Sequence, residues 1–224
     1  MKRIVSLLLC VAVLAGCGIS KTGKGAIIGT GAGAGLGAGI GALIGGERGA
    51  AIGAAIGAGV GAGTGTIIGR QMDKKAEELA QLENVQVETV KDANGLEAIK
   101  VTFDSGILFD FNKSSLKPEA KESLDKFAAK MADMSHTNIN VYGHTDNVGS
   151  AAANKKVSDQ RANAVAQYLT QKGIAKDRIV ADGLSFDFPV ADNATAEGRA
   201  QNRRVEIYVS ADEEMVKEAE AGRI

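Results

Sequence analysis

The chain has 224 residues, 45% hydrophobic and 24% charged, with no tryptophan, two cysteines, two histidines and a formal net charge of −1. Residues 1–70 hold six of the 26 Lys and Arg but one of the 27 acids, so residues 71–224 carry a net of −6, which argues against nucleic-acid binding by that half. Glycine is just as uneven, 19 of 29 falling within residues 21–70, so the chain is not one globule and its core must come from Val, Ile, Leu, Ala and a few Phe.

Residues 1–16 read as a signal peptide: Lys2 and Arg3 form a positive start, Ile4 to Leu14 an apolar stretch, and Leu14-Ala15-Gly16-Cys17 a small-residue cleavage site. That tetrad resembles a bacterial lipobox. The resemblance implies cleavage before Cys17, a diacylglycerol on its sulfur and acylation of the new amino group in residues 17–24. Gly18 in place of Asp implies release to the outer membrane. Each buried CH2 contributes about 0.8 kcal/mol, so several acyl chains anchor stably where one is marginal. Cys10 leaves with the signal, so Cys17 has no disulfide partner. A plain secretory peptide with an incidental cysteine is the alternative.

Within residues 25–69, glycine recurs at every fourth position from Gly25 to Gly69, separated by Ala, Ile, Leu, Val and Thr. On a helix this spacing makes a stripe without side chains, where another backbone can approach closely. Such a helix is poor in water, each glycine costing about 1 kcal/mol against alanine. In lipid, where unpaired backbone groups are expensive, it is the available single-chain solution. Glu47 and Arg48 interrupt the pattern, dividing it into 25–45 and 49–69, each long enough to cross a hydrocarbon core. The segment is read as a glycine-zipper membrane hairpin, with a flexible Gly/Ala linker as the alternative.

Residues 70–84 form a linker helix with Met72, Ala76, Leu79 and Leu82 on one face, expected to prolong the second zipper helix and to dock against the domain or a partner chain. Residues 85–105 hold two alternating runs split by Asp92-Ala93-Asn94-Gly95, a β-hairpin with Ile99, Val101 and Phe103 on one side. Residues 106–210 form the main domain. Gly106 to Asn112 is expected to be a strand ending in a polar turn. Pro118 opens a helix burying Leu124, Phe127, Ala128, Met131 and Met134. A strand over Asn138–Tyr142 precedes a helix that carries Arg161, buries Ala162, Val165, Ala166 and Leu169, and stops at Gly173. A short strand follows at Ile179–Ala181, and the last strand faces Val205, Ile207 and Val209 inward. Alternating strands and helices predict an α+β or α/β sandwich, one sheet covered by two or three helices. Residues 211–224 are expected to be a charged, frayed helical tail.

The stretch GHTDNVGSAAANKKVSDQR, from Gly143 to Arg161, places one acid just after a strand and one arginine early in a helix, so the loop can bring Asp146 and Arg161 to one rim of the sheet. Together with Asn154, Ser158, Ala162, Pro189, Asn193, Thr195, the run GRAQNRR at 198–204 and VEIYV at 205–209, it resembles the OmpA-like C-terminal domain over roughly residues 100 to 210. The resemblance implies a βαβαβ sandwich of α+β class, its mixed sheet covered by helices on one face, that binds peptidoglycan. In that family the residues equivalent to Asp146 and Arg161 contact ligand. Asn112, Thr145, Asn154 and Arg204 match family positions around the same rim, although Asn112 and Arg204 equally suit turn and scaffold roles. The departure is SAAANKKVS, where alanines and Val157 replace more polar residues and a leucine, which bears on contact strength.

Peptidoglycan stems of the diaminopimelate type end their side chain in a carbon bearing one ammonium and one carboxylate. A carboxylate and a guanidinium held side by side match it group for group, with strong charge-assisted bonds, and the planar arginine fork grips both carboxylate oxygens. A stem with lysine instead leaves Arg161 unpaired, a penalty of roughly 1 to 3 kcal/mol. An internal Asp146–Arg161 salt bridge without function is the competing reading. Enzymatic readings lack support: His136 and His144 have no cysteine near them, no nucleophile motif accompanies His144 and Asp146, and no GKS/T follows Gly149. The sequence therefore predicts a non-enzymatic, cofactor-free, lipid-anchored tether in the outer membrane with its C-terminal domain in the periplasm. Its expected partners are peptidoglycan and the membrane, with a homo-oligomer possible in principle and no nucleic acid. The alternative makes the zipper the working part, an oligomerising pore or assembly factor positioned by the wall domain.

Overall fold

A computed structural model of the chain describes residues 62–92, 94–110 and 113–224. Cys17, most of the zipper segment and the candidate site residue Asn112 lie outside the described residues.

Helix α1, Ala62–Leu79, starts inside the zipper segment and passes through the expected boundary at residue 69 without a break. Its buried stripe is Ile68, Met72, Ala76 and Leu79, continued by Leu82 beyond its end. The glycine periodicity has a local use here. A Cβ on Gly69 would lie a tight 3.2 Å from the Glu97 side chain, so glycine there lets the helix settle on a neighbouring hairpin, whereas a Cβ on Gly65 would make ordinary contact with Leu96 at 3.8 Å. Lys75, 4% exposed, fastens the helix by donating to Asp133 at 2.8 Å, Glu78 at 2.6 Å and the Lys130 carbonyl at 2.9 Å. Burial opposes its charge, but the bonds to Asp133 and Glu78 outweigh that and raise its pKa. No helix among the described residues is long and apolar enough to cross a membrane.

The hairpin is β1, Val85–Lys91, against β2, Glu97–Asp104, in a register running from Val85↔Phe103 to Lys91↔Glu97. Its turn closes on Asp92, whose Oδ1 accepts from the Asn94 and Leu96 amides, while Gly95 takes φ +76°. As the alternation requires, Ile99, Val101 and Phe103 are fully buried.

Two expectations need correction. Gly106 to Asn112 is not a strand where described: Ser105–Leu108 forms a helical turn, α2, and Phe109 makes an isolated bridge to Leu116. Asp104 caps that turn, accepting from the Gly106 amide at 2.5 Å, which drops Leu108 and Phe109 into the core. Short apolar runs such as Ile107-Leu108-Phe109 do not distinguish strand from helix by period. Nor does the tail fray. Helix α6, Glu213–Glu220, is capped by Asp212 through the Met215 amide at 2.8 Å, buries Met215, Val216 and Ala219, and packs against α1.

Apart from an unexpected short helix at Ala196–Asn202, the rest follows the sequence. Helix α3 is Pro118–Lys130, β3 Thr137–Gly143, α4 Ala151–Gln171, β4 Ile179–Gly183, α5 Ala196–Asn202 and β5 Arg204–Ala211. The five strands form one mixed sheet in the order β1-β2-β5-β3-β4, with β3 and β4 parallel and the other pairs antiparallel. This is the α+β architecture expected, with the core between one sheet face and α1, α3, α4 and α6. On the other face, Ala98, Tyr142 and Tyr208 form a small cluster, the two rings edge to face at 5.8 Å.

Glycine sets the approach of α4 to the sheet. A Cβ on Gly143 or Gly183, at the ends of the parallel strands, would collide with the backbone of Ser158 or Asp159. Contact at those two points places the turn of α4 that carries Arg161 over the β3 end, beside the loop that follows it.

Candidate functional site

Asp146 lies on the loop between β3 and α4. Its Oδ1 accepts from the Val148 amide at 3.0 Å, a local turn that directs the carboxylate. Asn154, 8% exposed, donates from its side chain to the Val148 carbonyl at 3.1 Å, Gly149 takes φ +101°, and Ser150 caps α4 by accepting from the Ala153 amide. The Thr145 amide donates to the Ser185 carbonyl at 2.8 Å, while its buried hydroxyl has no partner among the described residues. Asn154 and Thr145 thus shape the loop that carries Asp146.

Asp146 and Arg161 do not form an ion pair. Asp146 Oδ2 instead accepts from Arg203 Nη1 at 2.7 Å. Arg161, 6% exposed, donates from Nε to the Lys113 carbonyl at 3.2 Å and lies 5.2 Å over the Phe109 ring. Its terminal nitrogens have no hydrogen-bond partner among the described residues. Burial lowers its pKa, as does the like charge of Arg203, while Asp146 opposes both. The three charges therefore act on one another at one rim, two positive and one negative.

Arg204 stands elsewhere. It is 4% exposed, with Nε donating to Glu206 at 2.7 Å, Nη1 to the Asn202 carbonyl at 3.2 Å and Nη2 to the Phe188 carbonyl at 3.0 Å. Glu206 also accepts from the Tyr208 hydroxyl at 2.7 Å. Burial works against ionising Glu206, but His144 and Arg204 outweigh it and hold the carboxyl below the usual carboxylate range. His144, 1% exposed, has Nε2 3.4 Å from Glu206, and burial keeps its pKa below the ordinary imidazole value. His144 thus faces this network and not its chain neighbour Asp146.

Arg203 is the rim residue that motif matching passed over. Strand parity would have found it. Val205, Ile207 and Val209 point to the helices, so Arg203 shares their side and Arg204, Glu206 and Tyr208 take the other. Buried Asn202 braces the rim from behind: it accepts from the Val190 and Ala191 amides and donates to Asn193, whose Oδ1 also accepts from the Asn147 amide at 3.3 Å. No group of three His, Cys, Asp or Glu among the described residues is placed to hold a metal.

A helix-backed mixed sheet whose β3 end carries an acid and two arginines on one rim defines an α+β domain with a candidate binding site. Residues 108–203 match the OmpA family and residues 1–73 the YMGG-like Gly-zipper. It is 46% identical over 112 residues to outer membrane protein A of Bordetella avium, covering 50% of this chain and 58% of that protein. It is 42% identical over 113 residues to the peptidoglycan-binding protein ArfA of Mycobacterium tuberculosis, covering 50% and 35%. The fold matches the cell wall anchor of the T6SS from Pseudomonas aeruginosa with a TM-score of 0.53 and 32% identity, over 63% of this chain and 97% of that one. The chain spans between about a third and three fifths of the length of these two curated relatives.

Proposed function

We propose that the protein binds diaminopimelate-type peptidoglycan non-covalently through Asp146 and Arg161, and that lipid on Cys17 anchors it in the outer membrane, so that it tethers membrane to cell wall. The observation that carries this reading is the state of Arg161. Its side chain is largely buried, oriented by the Lys113 carbonyl and the Phe109 ring, and its terminal nitrogens have no hydrogen-bond partner among the described residues, on the same rim as the Asp146 carboxylate. A guanidinium held in place with donors to spare gains charge-assisted hydrogen bonds when a ligand anion completes it. The stem's side-chain carboxylate fills that role, and its ammonium pairs with Asp146. Support comes also from the peptidoglycan-binding and wall-anchor names of two relatives, and from the outer-membrane name of a third. The relatives named are binding and structural proteins, in keeping with a tether and not a catalyst.

Because α1 and α6 belong to the core, the test uses the full chain in detergent, sedimented with diaminopimelate-type sacculi. Asp146→Ala and Arg161→Ala are each expected to leave the chain in the supernatant. Unchanged co-pelleting of both variants would overturn the assignment.

A further inference from the structure

Arg203 gives the rim more positive charge than the side-chain end of the stem can match. That end brings one ammonium and one carboxylate, whereas the rim offers one carboxylate and two guanidiniums. If the ammonium takes Asp146 and the carboxylate takes Arg161, Arg203 must share its carboxylate with a second cation. Its Nε and Nη2 already lack a partner among the described residues, and at 41% exposed its side chain is free to turn toward ligand.

We infer that Arg203 is a specificity-determining residue that selects stems ending at their diamino acid, by pairing with the main-chain carboxylate that is free only in such stems. This rests on the wall-binding reading above. In a stem that continues past the diamino acid, that carboxylate is an amide carbonyl, which carries no charge and offers a weaker acceptor. The free carboxylate of the longer stem is displaced by one residue, so both stems carry the same net charge. Discrimination must then come from position, and general attraction of an acidic ligand to two arginines cannot imitate it. Repulsion acts in the same direction. The charge of Arg203 disfavours the Arg161 cation at this rim, and a ligand with a carboxylate for each arginine offsets that repulsion.

The experiment titrates detergent-solubilised full-length chain with purified disaccharide-tripeptide, ending at diaminopimelate, and with disaccharide-tetrapeptide. The native chain is expected to bind the tripeptide about tenfold more tightly, the equilibrium equivalent of one charge-assisted bond. Arg203→Gln is expected to bring that ratio to within about twofold, and Arg203→Lys, which keeps the charge but not the fork, to leave it in between. Because Arg203 is partly exposed, neither variant places folding at stake. Equal affinities of the native chain for the two stems, or a ratio untouched by Arg203→Gln, overturn the inference and leave the wall-binding reading standing. Failure of the native chain to bind either stem overturns both.

Discussion

Asp146 Oδ2 and Arg203 Nη1 meet at 2.7 Å across 57 residues of chain, while Arg161, in the same motif as Asp146, has no carboxylate partner among the described residues. The acid is paired with a partly exposed arginine, and the buried arginine is held by a carbonyl and a ring that cannot neutralise it.

The orientation of Arg161 predicts a geometric requirement. Arg161→Lys keeps the charge but loses the fork, the bond to the Lys113 carbonyl and the planar contact with Phe109. Sacculus binding is expected to weaken at least tenfold, roughly one charge-assisted bond. Co-sedimentation at native level by the lysine variant would show that charge alone suffices.

Arg204 and Glu206 should act on stability. Both are buried, so Arg204→Met alone strands a carboxylate and is expected to cost about 3 to 5 kcal/mol in urea unfolding. Adding Glu206→Leu should recover part of that loss, since no uncompensated charge remains. A double variant less stable than the single one would contradict this account.

The same network sets a pH dependence. Glu206 has a folded pKa below its unfolded value, so its contribution is complete above roughly pH 4.3 and is lost as pH falls toward the depressed value. His144 is also held below its ordinary value, so below about pH 6.5 the unfolded chain takes up a proton that the folded chain resists. Thermal melts should therefore show stability declining first below about pH 6.5 and further below about pH 4.3. His144→Gln should flatten the first decline and leave the second; a native chain equally stable at pH 7 and 5 would contradict the role given to His144.

Glycines of opposite consequence give a fourth test. Gly183→Ala forces a Cβ into the backbone of α4 and should destabilise by more than about 2 kcal/mol, tilting the helix that carries Arg161. Gly63→Ala, in α1 with nothing within 4 Å, should stabilise by up to about 1 kcal/mol. Denaturation midpoints moving the same way in both variants would refute the packing described.

Period and punctuation in the sequence determined the hairpin, α3, α4 and the strand faces, because alternation at Ile99-Val101-Phe103 and helical spacing at Leu124-Phe127-Ala128 reflect burial directly. The motif likewise pointed to Asp146 and Arg161 as candidates and to Asn154, which braces the loop of Asp146. Tertiary structure decided what depends on contacts distant in the chain: that α1 and α6 complete the core, that Ser105–Leu108 turns helical, and that Asp146 pairs with Arg203 while Arg204 turns to Glu206. Local pattern reports which side of an element is apolar. Which charge neutralises which depends on how α4 and β5 are brought together, and that follows from packing as close as the glycines at 143 and 183 permit.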